Sequence, residues 1–375
     1  MESRIIDIQN LLPWEEAAWS ALAEAAIEPN PFFEPGFLAL ASRHFEGFSK
    51  TRLLVAHEGN SFKGLIPIVG IERPRIPPRP MGSTRGTPTM VSGMCTPLVD
   101  RTCVDEATGA LLDGLRAAAR QSDFPGIVSL RRVSDNGPVV ESVRRQGKSR
   151  GLPVFTKETY ERGVVTRAGQ WETPLSGSRR REIGRRRRLL ARDSGSDVHV
   201  VDRTHDPAAA ADFLTIEASG WKGQGDGTAM ARDPRKVAWF HEWCAYWIEA
   251  GRLTVLALNL GDTSIAMQYF LAAGEGIFVY RIAQDAGYPK YGLGQMLLES
   301  AMELLYGETD ALWIDACTDP GNEFFLAMLP ERRLTSMLVI GSGGVLDRSA
   351  VSAMPMMARA VAARRRVFTR EPGGA

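Results

Sequence analysis

The chain has 375 residues, of which 44% are hydrophobic and 24% are charged, and its formal net charge is +1. This composition excludes a wholly disordered chain, and the near-zero charge does not by itself indicate a nucleic-acid or membrane partner. The length exceeds what one hydrophobic core usually organises, so two domains are expected. The four cysteines, at positions 95, 103, 244 and 317, lack the short spacings of a zinc site or a disulfide framework.

The first half of the chain shows the hydrophobic periodicities of an α/β module. Its predicted elements are, in order, helices at 14–26 and 34–44, strands at 51–57 and 64–71, a proline-rich loop at 73–97, a helix at 103–121 and a strand at 127–133. The two strands around the turn at residues 58–60 predict a β-hairpin.

A second predicted hairpin, with strands at 252–260 and 264–272, repeats this order about 200 residues further along the chain. Both hairpins follow helical segments, so the sequence predicts a duplicated α/β module with mixed sheets. The weakly patterned stretch between 163 and 178 marks the boundary. The resulting limits are 1–165 for an N-terminal domain, 166–345 for a C-terminal domain and 346–375 for a basic helical tail.

The order strand, glycine loop, helix, strand in the second half predicts an anion site. The strands are expected at 276–282 and 311–316 and the helix at 295–306, with Gly292 and Gly294 just before it. Backbone N–H groups at such a helix start can bind a pyrophosphate, and Lys290 could contact a phosphate. A glycine pair before a helix also occurs in ordinary tight turns, so this reading stays open here.

Arginine is concentrated between Arg179 and Arg192, and the pattern favours a solvated helix face. The alternative is contact with an anionic partner, such as tRNA, a nucleotide-linked sugar or a membrane surface. Trp239, Trp243 and Trp247 recur every four residues and predict a buried stripe. The amino terminus lacks the pattern of a signal peptide, and the apolar stretch at 350–363 is too short to span a membrane. We therefore expect a cytoplasmic protein, or one peripheral to the inner membrane face.

Four segments together resemble the GNAT acyltransferases: LSGSRRREIGRRRRLLAR at 175–192, EASGWKG at 217–223, FVYRIAQDAGYPKYGLGQMLL at 278–298 and LWIDACTDP at 312–320. Within that superfamily they are similar to the CelD/BcsL-like branch, which is related to the FemABX transferases. NPFFEPGFLAL at 30–40 and TPLVD at 96–100 extend the resemblance to the first half. It implies tandem GNAT-like domains, each a mixed, mostly antiparallel sheet flanked by helices.

The resemblance implies transfer of an acyl group from acyl-CoA, with acetyl-CoA the typical donor, to an amine on a sugar, an amino acid or an envelope or exopolysaccharide precursor, without a metal. The donor loop would comprise Lys290, Tyr291, Gly292, Leu293, Gly294 and Gln295. Pro289 replaces the Arg or Gln that GNAT loops carry at this position, which leaves the donor's identity open. Two alternatives are an aminoacyl-tRNA-dependent transferase of the FemABX kind and a noncatalytic binding module in polysaccharide assembly.

The same resemblance implies a base that deprotonates the amine and an acid that protonates the leaving thiolate. The candidate bases are Glu217, Asp285 and Asp315, and Tyr280 or Tyr288 would replace the tyrosine that many GNAT enzymes carry after their second core strand. The expected substrate-binding residues are Trp221, Lys222, Arg281 and Tyr288. We expect the N-terminal domain to shape the acceptor cleft, so that removing it near residue 170 would leave donor binding intact.

Overall fold

The computed structural model describes residues 1–72, 80–84, 86–87, 90–91, 93–121, 124–167, 175–220, 223 and 227–368. Of residues 72, 86–87, 90–91, 304–306, 308 and 361–368, the backbone alone is described. The chain forms two compact units. The first unit comprises Met1–Glu28, Lys50–Thr159 and Thr335–Ala375, and the second comprises Pro29–Ser49 and Tyr160–Leu334.

The strands are β1 (Glu2–Asp7), β2 (Arg52–Glu58), β3 (Ser61–Ile68), β4 (Gly70–Glu72), β5 (Met81–Ser83), β6 (Gly86–Thr87), β7 (Met90–Val91), β8 (Leu98–Val99), β9 (Ile127–Ser134), β10 (Val154–Thr166), β11 (Val198–Asp202), β12 (Leu253–Leu260), β13 (Thr263–Ala273), β14 (Gly276–Gln284), β15 (Trp313–Asp315) and β16 (Glu331–Gly341). The helices are α1 (Pro13–Ala25), α2 (Pro35–His44), α3 (Glu46–Ser49), α4 (Val104–Ala118), α5 (Pro138–Ser149), α6 (Gly177–Ser194), α7 (Ala209–Ser219), α8 (Pro234–Glu249), α9 (Leu293–Glu308), α10 (Glu323–Met328) and α11 (Val345–Phe368). Among the described residues, no helix combines the length and the apolar character needed to cross a membrane.

The first unit contains an antiparallel sheet in the order β1-β2-β3-β8, and β9 pairs with β5 in parallel and with β16 antiparallel. The predicted hairpin is confirmed, with Leu54 opposite Ile66 in the register of β2 and β3. Helices α4 and α5 cover one core, to which they contribute apolar residues such as Leu111, Leu115, Val139 and Val143. Their inward positions recur three or four residues apart, which is the spacing that keeps side chains on one helix face.

The second unit contains the order β11-β12-β13-β14-β15-β10, in which only the β14–β15 pairing is parallel. The second predicted hairpin is confirmed as β12 and β13. Residues of α9 such as Met296, Leu297 and Ala301 pack with those strands in one core. The mixed α/β class, with mostly antiparallel sheets flanked by helices, is therefore confirmed.

Helix α8 carries the predicted tryptophan stripe, and Trp239, Trp243 and Trp247 are each 0% exposed. Residues of the segment Pro29–Ser49 pack in the same unit, because the Phe37 ring centroid lies 6.1 Å from that of Trp239 and Arg252 pairs with Glu34 at 2.6 Å. The compact units thus interleave along the sequence. The domain limits at 165 and 345 stay predictions.

Candidate functional site

The strand β15 pairs with only part of β14. Residues Gly276 to Phe278 pair with Trp313 to Asp315, whereas β14 continues to Gln284. A bulge follows at once, because Tyr269 pairs with Arg281 while Phe270 pairs with Val279. Tyr280 is therefore the extra residue of the bulge. Such bulges redirect side chains and end pairing, so they are common beside functional sites.

Helix α9 begins where β14 ends, and a glycine immediately precedes it. Gly292 has φ +71°, a left-handed conformation that side chains beyond glycine rarely adopt. Gly294 lies in the first turn, where an added Cβ would stand 2.6 Å from Gln284 Nε2 and 3.2 Å from Phe324 Cζ. Its N–H donates to Gln284 Oε1 at 3.3 Å instead of to a helical carbonyl. A neutral amide thus occupies a helix end whose dipole and N–H groups favour an anion.

Arg186 on α6 contributes a guanidinium to this helix end. Its Nη1 lies 2.8 Å from the Cβ position that Gly292 lacks and donates to Gln295 Oε1 at 3.2 Å. Its Nε donates to Glu182 Oε1 at 2.7 Å, which holds the side chain along the helix. Arginine presents several N–H donors to a phosphate at once. The positive charge expected of the donor loop therefore also comes from α6, about a hundred residues earlier.

Other members of the predicted donor loop have partners on α6. Lys290 Nζ lies 3.5 Å from Asp193 Oδ2, and the Tyr291 hydroxyl donates to the same oxygen at 3.0 Å. A hydrogen bond from Arg192 and a weaker effect of the one from Tyr291 lower the pKa of Asp193. The Asp193 carboxylate therefore stays ionised beside Lys290. The Leu293 side chain is buried, so this residue can contact a ligand at the helix start only through its backbone. The direct contacts of Gly292 and Gln295 with Arg186 make them the better-placed loop residues.

The opposite face of β14 carries a second cluster, which includes three predicted site residues. Glu217 on α7 is 3% exposed, and its Oε2 accepts from the Met230 N–H at 2.9 Å. Its Oε1 lies 3.9 Å from Arg281 Nη1, and the Arg281 guanidinium lies 5.1 Å from the Tyr280 ring centroid. The structure therefore gathers a carboxylate, a guanidinium and a phenol at the bulge.

Tyr280 is surrounded by aromatic rings of its own unit. Ring centroids of Trp243, Phe32 and Phe37 lie 4.9, 5.7 and 5.7 Å away. The hydroxyl is buried and forms no hydrogen bond of normal geometry with the described residues. Burial raises the pKa of Tyr280, and the Arg281 charge opposes that shift. The phenol therefore stays protonated at neutral pH, which suits a proton donor and not a base.

Asp315 has an environment that argues against the role of general base. It is 0% exposed, with Oδ1 2.8 Å from Arg162 Nε and Oδ2 2.7 Å from Arg333 Nη1. The Cys317 N–H also donates to Oδ1 at 2.8 Å. Both carboxylate oxygens are engaged by cations, so neither oxygen is open to the amine of a substrate. We therefore assign Asp315 to structure, as the centre of a buried ion network.

Two further candidates also have structural contacts. Asp285 Oδ1 accepts from the Gly287 N–H at 2.8 Å, the geometry of a side chain closing a local turn. Tyr288 packs against the hydrophobic core under α9. Trp221 and Lys222, the other two predicted substrate ligands, lie outside the described residues.

Gln284, Arg162 and Arg333 were missed in the sequence, and Arg186 was marked only as part of the arginine-rich stretch between Arg179 and Arg192. Gln284 could have been found, because a polar residue ends an apolar strand directly before the glycine loop. Arg162 and Asp315 lie 153 residues apart, and Arg186 and Gln295 lie 109 apart. Their partnerships arise from tertiary packing, so no local pattern indicates them.

Residues 177–323 match the family model described as an acetyltransferase (GNAT) domain. No curated protein matches the sequence.

Solved structures share the fold over nearly the whole chain. A protein of unknown function from Bacteroides thetaiotaomicron VPI-5482 has a TM-score of 0.56 at 12% identity, covering 90% of this chain and 98% of its own. The C-terminal domain of a putative lysylphosphatidylglycerol synthetase from Agrobacterium fabrum has a TM-score of 0.54 at 13% identity, covering 90% and 94%. FemX has a TM-score of 0.53 at 10% identity, covering 90% and 97%. Residues 177–323 are therefore similar to acetyltransferase (GNAT) domains, and the chain shares its fold with FemX.

Proposed function

We propose that this protein is an N-acyltransferase that moves an acyl group from acyl-CoA to an amine of a sugar, an amino acid or an envelope precursor. One observation carries the proposal: the glycine-flanked start of α9 contacts the end of β14, beyond the residues that pair with β15, and Arg186 lies beside it. The GNAT match over residues 177–323 supports the reaction class. The donor and the acceptor are the parts that experiment must decide.

The donor's phosphates would bind the first turn of α9. Gln284 Oε1 would yield the Gly294 N–H to a phosphate oxygen, and Arg186 would turn from Gln295 to the same anion. Since both existing contacts are made by neutral amides, an anion can replace them with stronger, charge-assisted hydrogen bonds. The acyl thioester would then enter the opening between β14 and β15 and reach the bulge at Tyr280.

The acceptor would arrive on the Glu217 face. Its nitrogen attacks the thioester carbonyl carbon, the new C–N bond forms and the C–S bond breaks. Glu217 takes the proton that leaves the nitrogen, and the Tyr280 hydroxyl donates a proton to the departing thiolate sulfur. Arg281 lies between the two residues and would hold the Glu217 carboxylate in position.

Calorimetric titration with acetyl-CoA and longer acyl-CoAs tests the donor site. Arg186→Gln should weaken binding about tenfold or more, because it removes a charge-assisted contact worth about 1.5–3 kcal/mol. Arg188→Gln is the matched control, since Arg188 is exposed on the same helix and should leave affinity unchanged. Equal affinities for the two variants and the wild type would contradict this placement of the donor.

A turnover assay with an amine panel tests the chemistry separately. Glu217→Gln should lower kcat about 100-fold or more while acyl-CoA affinity stays unchanged, because general-base loss affects only the chemical step. Acyl-CoA binding by the wild type without turnover of any amine would favour the noncatalytic module.

An aminoacyl-tRNA donor is the second candidate, and one feature of α6 favours it. Arg180, Arg181 and Arg188 are exposed on the helix that also carries Arg186. Such a surface would contact several backbone phosphates and make binding strongly salt-dependent. Gel-shift titration with bulk charged tRNA at two salt concentrations, alongside the acyl-CoA titration, separates the candidates. Binding of tRNA without binding of any acyl-CoA would replace the acyl-CoA proposal.

A further inference from the structure

Helix α11 presents an apolar surface that the described parts of the chain leave uncovered. Val345, Leu346 and Met356 are 70%, 69% and 74% exposed, the highest values among the described large hydrophobic residues. On the opposite side, Val351 and Met354 are 0% and 5% exposed and pack against the first unit's core. The helix is therefore anchored through one face, and apolar side chains also project from the other.

The outer face is almost free of charge along three turns. Its exposed residues between 345 and 360 are Val345, Leu346, Ser349, Ser352, Pro355, Met356, Ala358, Arg359 and Ala360. Asp347, the one acidic residue of this stretch, has its carboxylate against Gly126 and Gly343. A solvated helix face normally carries several charged residues, so this face has the composition of a contact surface.

Positive charge is concentrated towards the end of the same helix. Residues 348–370 contain no Asp or Glu, and they contain arginines at 348, 359, 364, 365, 366 and 370. An apolar helix face combined with unopposed basic residues fits the boundary of an anionic bilayer, which offers hydrocarbon and phosphate side by side. A second copy that packed its own α11 against this face would cover the apolar side chains but would bring more arginines from the same helix.

We propose that α11 binds an anionic phospholipid surface, lying parallel to it with Val345, Leu346 and Met356 inserted between headgroups. The contact is peripheral, because no described helix can span a membrane. The three side chains lie within 12 residues, whose first and last positions are about 16 Å apart along the helix. Arg359, which is exposed on the same helix, would meet the lipid phosphates. This proposal is independent of the acyl-transfer proposal.

Vesicle co-sedimentation tests the proposal, using phosphatidylcholine vesicles with and without phosphatidylglycerol. The wild-type chain should bind the anionic vesicles more strongly, and added salt should weaken that binding. The triple variant Val345→Ser, Leu346→Ser, Met356→Ser keeps the charge constant and should bind at least about tenfold more weakly, because three apolar insertions are lost. Arg359→Gln should cause a smaller loss that disappears at high salt.

Ile71→Ser is the matched control, because Ile71 is 54% exposed on β4 of the same unit and is not part of α11. It should bind vesicles like the wild type, and thermal melts should show that all variants are folded. The proposal is overturned if the wild-type chain does not bind anionic vesicles or if the triple variant binds them as strongly as the wild type. A concentration-dependent dimer that dissociates in the triple variant would identify a second copy as the occupant and would also overturn it.

Discussion

At the scale of single residues, a substitution of Asp315 distinguishes a structural role of this residue from a catalytic one. Asp315→Asn leaves Arg162, which is 1% exposed, without its counter-charge, and breaking a buried pair in this way costs about 3–5 kcal/mol. We expect a clear fall in the free energy of unfolding, measured by urea titration. Asp310→Asn, at an exposed position of the same unit, should have little effect. Unchanged stability with lost turnover would instead return Asp315 to the role of base.

Glu182 connects pH to the position of Arg186. Hydrogen bonds from Arg185 and Arg186 lower the pKa of Glu182 from 4.5 to about 2. Because the folded-state pKa is the lower one, this stabilisation is complete above pH 4.5 and is lost as the pH falls towards 2. NMR titration of the Glu182 side chain should therefore show a midpoint near 2. Glu182→Gln should remove that transition, and a midpoint near 4.5 in the wild type would show that the two ion pairs do not form in solution.

The thiol of Cys244 provides a second titration, in which the pKa is raised in the folded protein and not lowered. Burial raises the pKa of its thiol from 9.0 to about 12, so the reactive thiolate is scarce at neutral and mildly alkaline pH. We expect a thiol reagent at pH 8 to label native Cys244 at least about a hundredfold more slowly than in urea. Mass spectrometry of the labelled peptides provides the measurement. Rapid labelling of the folded protein would show that the second unit opens around α8.

At the scale of elements, substitution by alanine should change the stability in opposite directions at two glycines, Gly292 just before α9 and Gly307 in its last turn. Gly292→Ala forces a side chain into φ +71° and should cost about 1–2 kcal/mol, while also displacing Arg186. Gly307 has open space around its Cβ position, so Gly307→Ala should stabilise the helix by up to about 1 kcal/mol. Urea titrations of both variants measure the difference. A neutral Gly292→Ala would mean that the loop before α9 adopts another conformation.

At the scale of the whole molecule, residues 29–49 belong to the same compact unit as the GNAT domain. A fragment beginning near residue 170 would lack Phe32, Phe37 and Glu34, exposing the ring of Tyr280 and leaving Arg252 unpaired. The expectation that such a fragment keeps donor binding stays a prediction, and it requires the fragment to fold without these contacts. We expect weak near-ultraviolet circular dichroism and no cooperative thermal transition.

Phe37→Ala in the full chain tests the same packing without truncation. The Phe37 side chain is fully buried, so its removal should cost about 3–5 kcal/mol, and Phe37→Leu should cost less. Tryptophan fluorescence during urea unfolding reports on the second unit through Trp239, Trp243 and Trp247. Native stability in Phe37→Ala, or a cooperatively folded fragment from residue 170, would show that residues 29–49 are dispensable.

The sequence by itself determined both hairpins, the fold class and the glycine loop before α9. Hydrophobic period and turn chemistry are local, so both hairpins, the tryptophan stripe of α8 and Gly292 could be read from neighbouring residues. The resemblance to GNAT proteins marked Glu217, Tyr280 and Arg281 as candidates, although their gathering at one bulge could not be read from spacing.

Only the tertiary structure decided which charged residues meet. The sequence marks Asp315 as a candidate base, but in the folded protein Arg162 and Arg333 pair with its carboxylate oxygens. Arg186 lies in a helix whose composition favours solvent, yet its guanidinium reaches the start of α9. Likewise, residues 29–49 join a unit whose remaining residues begin at 160. Charge pairing and burial depend on distances in space, whereas periodicity depends on distances along the chain.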